Sequence, residues 1–241
     1  MNTVSSTDKP VLYLLPVPLS DAGPAEVMPP RNIEVARSLR HFIVENLRSA
    51  RRFLKKCDRS IDIDACSFVT LDEHTDPTEV PAMLAPMERG ESIAIVSEAG
   101  CPAVADPGAL AVAEAQRRGY RVVPLIGPSS ILLALMASGF NGQTWAFTGY
   151  LPVDGAARTA KLHEMERLIN RQRQTQIFIE TPYRNNRLIA ELCKTLPQSM
   201  LLCVASDITG PSESIITMPL GKWKNAKYDY DKIPTIFLLY S

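Results

Sequence analysis

The residues that invite a chemical reading sit in loops that follow short apolar runs. Ile93-Ala94-Ile95-Val96 reads as a buried strand and passes into Ser97-Glu98-Ala99-Gly100-Cys101-Pro102-Ala103-Val104-Ala105-Asp106-Pro107-Gly108, a glycine- and proline-pinned loop leading to a helical pattern. That order places backbone N–H groups and one carboxylate at the carboxyl edge of a parallel sheet, where open α/β sheets bind ligands. It equally describes a plain strand-to-helix connection in which Asp106 caps the helix. Leu125-Ile126-Gly127-Pro128-Ser129-Ser130 repeats the pattern, with Ser129 or Ser130 in the capping position. A third loop, Pro16-Val17-Pro18-Leu19-Ser20-Asp21-Ala22-Gly23, lacks both the Gly-x-Gly-x-x-Gly fingerprint and the Gly-Lys-Ser/Thr ending, so dinucleotide and P-loop readings fall.

A second kind of chemistry is electrostatic. Lys plus Arg number 26 and Asp plus Glu number 26, so the formal charge is zero and any attraction to a polyanion must be local. Asn46-Leu47-Arg48-Ser49-Ala50-Arg51-Arg52-Phe53-Leu54-Lys55-Lys56 supplies such a patch. At helical spacing Arg48, Arg51, Arg52 and Lys55 gather on one side, while Leu47, Ala50 and Leu54 form an apolar stripe. This is the geometry of a phosphate-contacting helix and also of an ordinary solvated helix face. Arg31, Arg37 and Arg40 extend the patch, and Arg167, Arg171 and Arg173 offer another.

Metal and nucleophile chemistry have little to build from. The three histidines include no i, i+4 pair, and the five cysteines are odd in number without Cys-x-x-Cys spacing. Reduced thiols and no metal are expected.

The elements that must position these loops alternate. Val11–Leu15, Cys66–Thr70, Ser92–Val96 and Arg121–Leu125 are β-rich runs, while Pro81–Arg89 and Ala109–Arg118 carry helical spacing, which predicts a parallel sheet covered by helices. Arg31 to Cys57 reads either as one long amphipathic helix or as two helices split by a strand at His41-Phe42-Ile43-Val44. A second series comprises a helix Ser129–Ala137, a strand near Thr144–Thr148 and a charged helix from Thr159 to about Asn170. It continues with a strand Gln176–Glu180, a helix Asn185–Thr195, and strands Met200–Ala205, Ser214–Met218 and Thr235–Tyr240. Two α/β domains are predicted, residues 1–125 with a parallel sheet and residues 126–241 with a mixed one. With 241 residues at 46% hydrophobic, two cores of usual size are available. No apolar run approaches the roughly 20 residues of a membrane span. Met1 to Lys9 lacks the basic-then-apolar order of a secretory leader, which predicts a cytoplasmic chain.

Taken together, these residues resemble the tetrapyrrole-methylase-like class of S-adenosylmethionine-dependent methyltransferases, most nearly its small-subunit ribosomal RNA cytidine-2′-O-methyltransferase branch. The resemblance spans nearly the whole chain in order. It rests on Leu14-Leu15-Pro16-Val17-Pro18-Leu19, Val96 to Pro102 with Asp106-Pro107-Gly108, and Val122 to Ser130. Phe147-Thr148-Gly149-Tyr150-Leu151-Pro152, Ile177 to Arg184 and Ala205-Ser206-Asp207-Ile208-Thr209 continue it. It implies two α/β domains with S-adenosylmethionine folded into the cleft between them, in a homodimer. By carry-over the cofactor contacts are Ser97, Glu98, Ala99, Gly100 and Ala103, then Ser129, Ser130, Tyr150, Leu151, Ala205, Pro234, Thr235 and Ile236.

The implied partner is ribosomal RNA or the small ribosomal subunit, with Arg48, Arg51, Arg52 and Lys55 on its phosphates. A ribose hydroxyl attacks better when a carboxylate or lysine takes its proton, and Glu45, Glu98, Glu180 and Lys161 are the candidates. The chain departs from the branch at Asn46, where an aspartate is usual, at Glu98, at Cys101 in place of threonine, at Gly210 in place of lysine, and at Asp72-Glu73-His74. Two other readings remain open: a methyltransferase acting on a tetrapyrrole or other small molecule, and a cofactor- or RNA-binding module without catalysis.

Overall fold

A computed structural model describes residues 9–241. Of the segment Met1–Lys9, expected not to be a secretory leader, all but Lys9 lies outside the described residues. Among the described residues no helix is long and apolar enough to cross a membrane. The chain divides into two compact units, Met1–Pro128 and Ser129–Ser241.

The first unit runs β1 (Val11–Leu14), α1 (Pro24–Val27), α2 (Pro30–Ser38), β2 (His41–Val44), α3 (Leu47–Cys57) and β3 (Ser67–Thr70). After a 3-10 turn at Pro77–Glu79 come α4 (Val80–Met83), α5 (Ala85–Glu88), β4 (Ile93–Val96), α6 (Gly108–Arg117) and β5 (Arg121–Pro124). All pairings are parallel, in the order β3-β2-β4-β1-β5. The central strands read as unbroken apolar runs because both faces are covered. Phe42, Val44, Ala94 and Val96 pack under α1 to α3, whereas Ile43, Ile93 and Ile95 pack under α4 to α6.

This two-sided burial decides the split of Arg31–Cys57. A helix would bury one stripe, but Phe42, Ile43 and Val44 are all about 1% exposed, which only a central strand achieves. Asn46 then restarts the chain as a helix, its Oδ1 accepting the N–H groups of Arg48 (2.9 Å) and Ser49 (3.2 Å). The apolar stripe of α3 differs from the expected one: Ala50, Phe53 and Leu54 are buried, while Leu47 is 42% exposed. Its turn lies past the carboxyl end of β2 and has no strand to cover. The Pro81–Arg89 helix is also corrected. Pro86 has no N–H for the Ala82 carbonyl, and the helix breaks at Leu84 (φ −89°, ψ 3°) into α4 and α5.

The second unit runs α7 (Ser130–Ser138), β6 (Trp145–Tyr150), α8 (Gly155–Gln172), β7 (Thr175–Ile179), α9 (Asn185–Thr195), β8 (Leu201–Ser206), β9 (Ser214–Pro219), α10 (Leu220–Trp223) and β10 (Thr235–Tyr240). Its sheet has the order β6-β7-β10-β8-β9, with only β6 and β7 parallel. Phe178, Leu202, Val204, Phe237 and Leu239 pack under α8, α9 and α10. On α7, Ile131, Ala134 and Leu135 are buried, and the helix is tied to β9 by the Thr217 hydroxyl, which donates to the Ser138 carbonyl at 2.9 Å. Helix α8 begins four residues before the expected Thr159, because Ala156 and Ala157 are strong helix formers and the Asp154 carboxylate caps the start by accepting the Ala157 N–H at 2.8 Å. Strand β6 continues two residues beyond Thr148 through an irregularity at Gly149 (φ +69°).

Candidate functional site

In the first unit the strand order sets the location. Chain connections move outward from β1 to β2 to β3 on one face and return through β4 and β5 on the other. The carboxyl ends of β1 and β4 are therefore neighbours whose loops leave to opposite faces, the point at which open α/β sheets form their crevice. Val17 and Gly100 clasp the two loops there, each donating its N–H to the other's carbonyl at 2.9 Å. Gly100 adopts φ +75°, and a Cβ there would stand 3.3 Å from Leu19 Cδ2.

The loop after β4 is held by its own side chains. Ser97 Oγ donates to the Ala99 carbonyl (3.3 Å) and the Cys101 thiol to the Pro128 carbonyl (3.4 Å). The Asp106 carboxylate accepts the N–H groups of Ala103 (2.9 Å) and Gly108 (2.7 Å), while the N-cap position of α6 is Pro107. Asp106 thus does more than cap: it closes a loop in which Ala103 (φ +67°) and Ala105 (φ +61°) are left-handed, strained for alanine. The loop after β5 is drawn in as well. Asn32, 1% exposed, donates from Nδ2 to the Ile126 carbonyl at 2.8 Å. Gly127 lies so close to Pro16 that a Cβ would fall 2.2 Å from the proline's own.

Two carboxylates meet this edge. Glu45, just after β2, accepts the Glu98 N–H at 3.1 Å. Burial pushes its pKa up, the Glu98 N–H opposes this, and the negative charges of Asp106, Glu98 and Glu73 add to the rise. Burial also raises the Asp106 pKa, against the N–H groups of Gly108, Ala103 and Val104.

Of the four cations expected to touch phosphate, the structure separates two from two. Lys55 Nζ donates to the carbonyls of Arg59 (3.0 Å) and Ile61 (2.6 Å), and Arg51 faces Asp64 (3.7 Å) with its guanidinium 5.6 Å over the Phe68 ring. Arg48 and Arg52 are exposed and have no side-chain partner among the described residues. Arg52 also lines a cleft of about 200 Å³ with Pro18, Ser20, Ser49, Lys56 and Glu98.

In the second unit, strand register performs the gathering. Tyr150 pairs with Ile179, Ile179 with Ile236, and Ile236 with Ala205, so residues distant in sequence form one row across the sheet. Leu151 and Thr235 are buried beside this row, Tyr150 is 63% exposed, and the Pro234 carbonyl accepts the Asp207 N–H at 2.9 Å. Ser129 caps α7, accepting the Leu132 N–H at 3.5 Å, and Ser130 is the helix's first residue. The other two proton-acceptor candidates are engaged. Lys161 lies well inside α8 and pairs with Glu164 (3.0 Å). Glu180 accepts the Thr181 N–H (2.7 Å) and faces Arg184 (3.3 Å).

Three comparisons bear on this arrangement. No family model matches the chain. Ribosomal RNA small subunit methyltransferase I of Vibrio cholerae is 30% identical over 213 residues, 88% of this chain and 70% of that protein. The Bacillus subtilis protein of the same name is 31% identical over 228 residues, 93% of this chain and 74% of its own length. The chain belongs to the ribosomal RNA small subunit methyltransferase I family. It is a methyltransferase whose methyl donor is S-adenosylmethionine. Among solved structures, the methyltransferase CobJ matches with TM-score 0.63 at 16% identity, covering 97% of this chain and 95% of that one. The cobalt precorrin-4 methyltransferase CbiF matches with TM-score 0.61 at 15% identity, covering 99% and 98%. The fold is therefore the two-domain α/β fold of tetrapyrrole methylases.

Against that family three of the departures, Asn46, Cys101 and Gly210, acquire local explanations. Asn46 caps α3, a task aspartate performs equally well. The Cys101 thiol donates to the Pro128 carbonyl at 3.4 Å, so the position keeps a donor. At Gly210 a Cβ would fall 2.1 Å from Asp207 Oδ1, whose partner oxygen accepts the Ser212 N–H at 2.8 Å. A side chain here would displace the Asp207 carboxylate from its bond to Ser212. Sequence reasoning missed Val17, Asn32 and the Pro16–Gly127 approach, because each works through a contact distant along the chain. The Gly-Pro pair at Gly127-Pro128, shortly after an apolar strand, was the available signal for the last.

Proposed function

We propose that this methyltransferase acts on a ribose 2′-hydroxyl of small-subunit ribosomal RNA. The observation that carries the reading is the family likeness across both units, over 88% and 93% of the chain. Arg48 and Arg52 support it, since two unpaired guanidiniums beside the edge of the first unit suit phosphate contacts. A tetrapyrrole acceptor draws support only from fold, which does not specify substrate.

The residues suit the methyl donor. In the first unit the N–H groups of Ala99 and Cys101 have no acceptor among the described residues, and Ser97, Gly100 and Ala103 keep the loop narrow. Polar amides for an amino-acid head and small apolar walls are what such a ligand requires. Glu98 contributes its exposed carboxylate to the same loop. In the second unit Leu151, Ala205 and the Pro234-Thr235-Ile236 segment provide the apolar wall and backbone groups, Tyr150 an exposed ring, and Ser129 and Ser130 the amide-rich start of α7.

When bound, S-adenosylmethionine supplies a sulfonium-activated methyl, which leaves the protein to align a hydroxyl, take its proton and exclude water. Glu45 is the proton acceptor best placed for this. It stands at the sheet edge, and its raised pKa brings it nearer the working range of a general base. This reading puts the enzyme in the cytoplasm with ribosomes, as a homodimer.

The test is transfer of labelled methyl to small subunits, and separately to naked ribosomal RNA, from cells lacking the protein. Alkali-resistant labelled dinucleotides are expected. Measurable binding of S-adenosylmethionine without transfer to either substrate overturns the reading.

A further inference from the structure

Beyond β7 the second unit holds an aromatic ring in solvent on a backbone fixed from several sides. Tyr183 is 74% exposed and occupies the 3-10 turn Pro182–Arg184. The Lys232 N–H donates to the Pro182 carbonyl (2.9 Å) and the Arg184 N–H to the Thr181 carbonyl (2.9 Å). Immediately after the turn, fully buried Asn185 donates from Nδ2 to the carbonyls of Tyr230 (2.8 Å) and Ile233 (2.9 Å), and the Asn186 N–H donates to Asp231 (3.0 Å). The ring itself contributes nothing to the core. A large aromatic on a rigid turn loses little conformational freedom when it is covered, which is how recognition surfaces use tyrosine.

Cations accompany it. Arg158, Arg184 and Arg187 line a cleft of about 160 Å³ with Glu180, Glu191 and Val153, itself 74% exposed. Arg158 is engaged by Glu191 (2.8 Å) and by the carbonyls of Pro152 and Val153 (2.9 Å each). Arg184 donates to Thr181 Oγ1 (3.1 Å) and faces Glu180. Arg187 is exposed and makes no hydrogen bond or ion pair among the described residues. Three arginines against two glutamates leave the cleft net positive in a protein whose formal charge is zero. The ring and the free guanidinium lie one turn of chain apart.

We propose that Tyr183 and Arg187 form a contact for unpaired RNA, the ring stacking on a base and the guanidinium taking an adjacent phosphate. Stacking on an exposed aromatic beside a cation is the sequence-tolerant way to hold single-stranded RNA. The proposal rests on the ribosomal RNA reading and adds to it a contact on the second unit, the cations of α3 belonging to the first.

The test measures binding of the full-length protein to a labelled single-stranded RNA and to a duplex of the same sequence, across a salt series. Tyr183→Ala is expected to weaken single-strand binding roughly five- to a hundredfold with a smaller effect on the duplex, and Tyr183→Phe to retain it. Arg187→Ala is expected to reduce the salt slope by about one. Thermal melts and S-adenosylmethionine binding should match the parent in all three variants. Unchanged RNA affinity in Tyr183→Ala and Arg187→Ala, while the parent still binds RNA and methylates small subunits, overturns this contact and leaves the function standing. A shift in sedimentation of Tyr183→Ala without a change in RNA affinity overturns it in favour of a contact between copies. A parent that neither binds RNA nor methylates subunits takes down both readings.

Discussion

The two units gather their edge residues by different means. In the first, every strand is parallel, so the carboxyl ends of β1, β2, β4 and β5 share one edge, and the loops leaving them are tied by individual bonds: Val17 with Gly100, Glu45 with Glu98, Asn32 with Ile126, Asp106 with Ala103 and Gly108. In the second, the antiparallel β10 sits at the sheet's centre, and Tyr150, Ile179, Ile236 and Ala205 are aligned by backbone register alone. The first edge depends on a few side chains and close approaches, whereas the second depends on one strand. Damage should spread accordingly.

The largest effect should come from deleting Pro234 to Ser241. This removes β10, whose Phe237 and Leu238 are fully buried and which pairs with both β7 and β8. Loss of the cooperative melt is expected, with hydrogen-exchange protection disappearing throughout β6 to β9. Retained protection there would refute dependence on a single strand.

Next is Glu45→Gln, expected to lower kcat by about 10²- to 10⁴-fold and to remove the fall in rate at acid pH. Stability should move the opposite way. A carboxyl whose folded pKa is raised stabilises most when protonated, below its ordinary value of 4.5, and that contribution is lost as pH rises through the folded pKa. Glu45→Gln should therefore melt above the parent at neutral pH, and the gap should close in acid. A parent that stays the more stable at neutral pH would show that Glu45 is not desolvated.

Gly127→Ala should cost about 1–3 kcal/mol, because the new methyl meets a proline ring fixed by the neighbouring strand. Chemical denaturation would report it, and a neutral result would mean the loops after β1 and β5 separate freely. The smallest effect divides the basic helix. Arg48→Ala with Arg52→Ala should reduce the salt slope of RNA binding by about two, while Arg51→Ala with Lys55→Ala, whose side chains are already engaged, should change it less. Equal slopes would mean that the internal partners give way to phosphate.

Much of the fold was legible. The alternation of β-rich and helical runs predicted a parallel sheet and then a mixed one, and Ser97–Asp106 was placed at a strand's carboxyl edge from residue types alone. Where the reading fell short, long-range packing decided. His41–Val44 is apolar at a spacing that suits strand or buried helix, and only neighbours on both faces chose the strand. Leu47 fits the stripe of α3 by spacing, yet it starts the helix beyond the end of β2 and stays 42% exposed. Arg51 and Lys55 match Arg48 and Arg52 as cations, but Asp64, Phe68 and the carbonyls after α3 engage only the first pair.

The sequence by itself determined the class of fold, the loops that leave the carboxyl ends of the strands and the family, because hydrophobic period, glycine and proline punctuation and motif order are local properties of the chain. Only the tertiary structure decided which carboxylates are desolvated, which guanidiniums remain free, and that Gly100, Ala103 and Ala105 take left-handed backbone in the loop after β4. Those outcomes depend on which distant segments come to lie alongside, and burial, charge and close approach belong to that arrangement and to no residue alone.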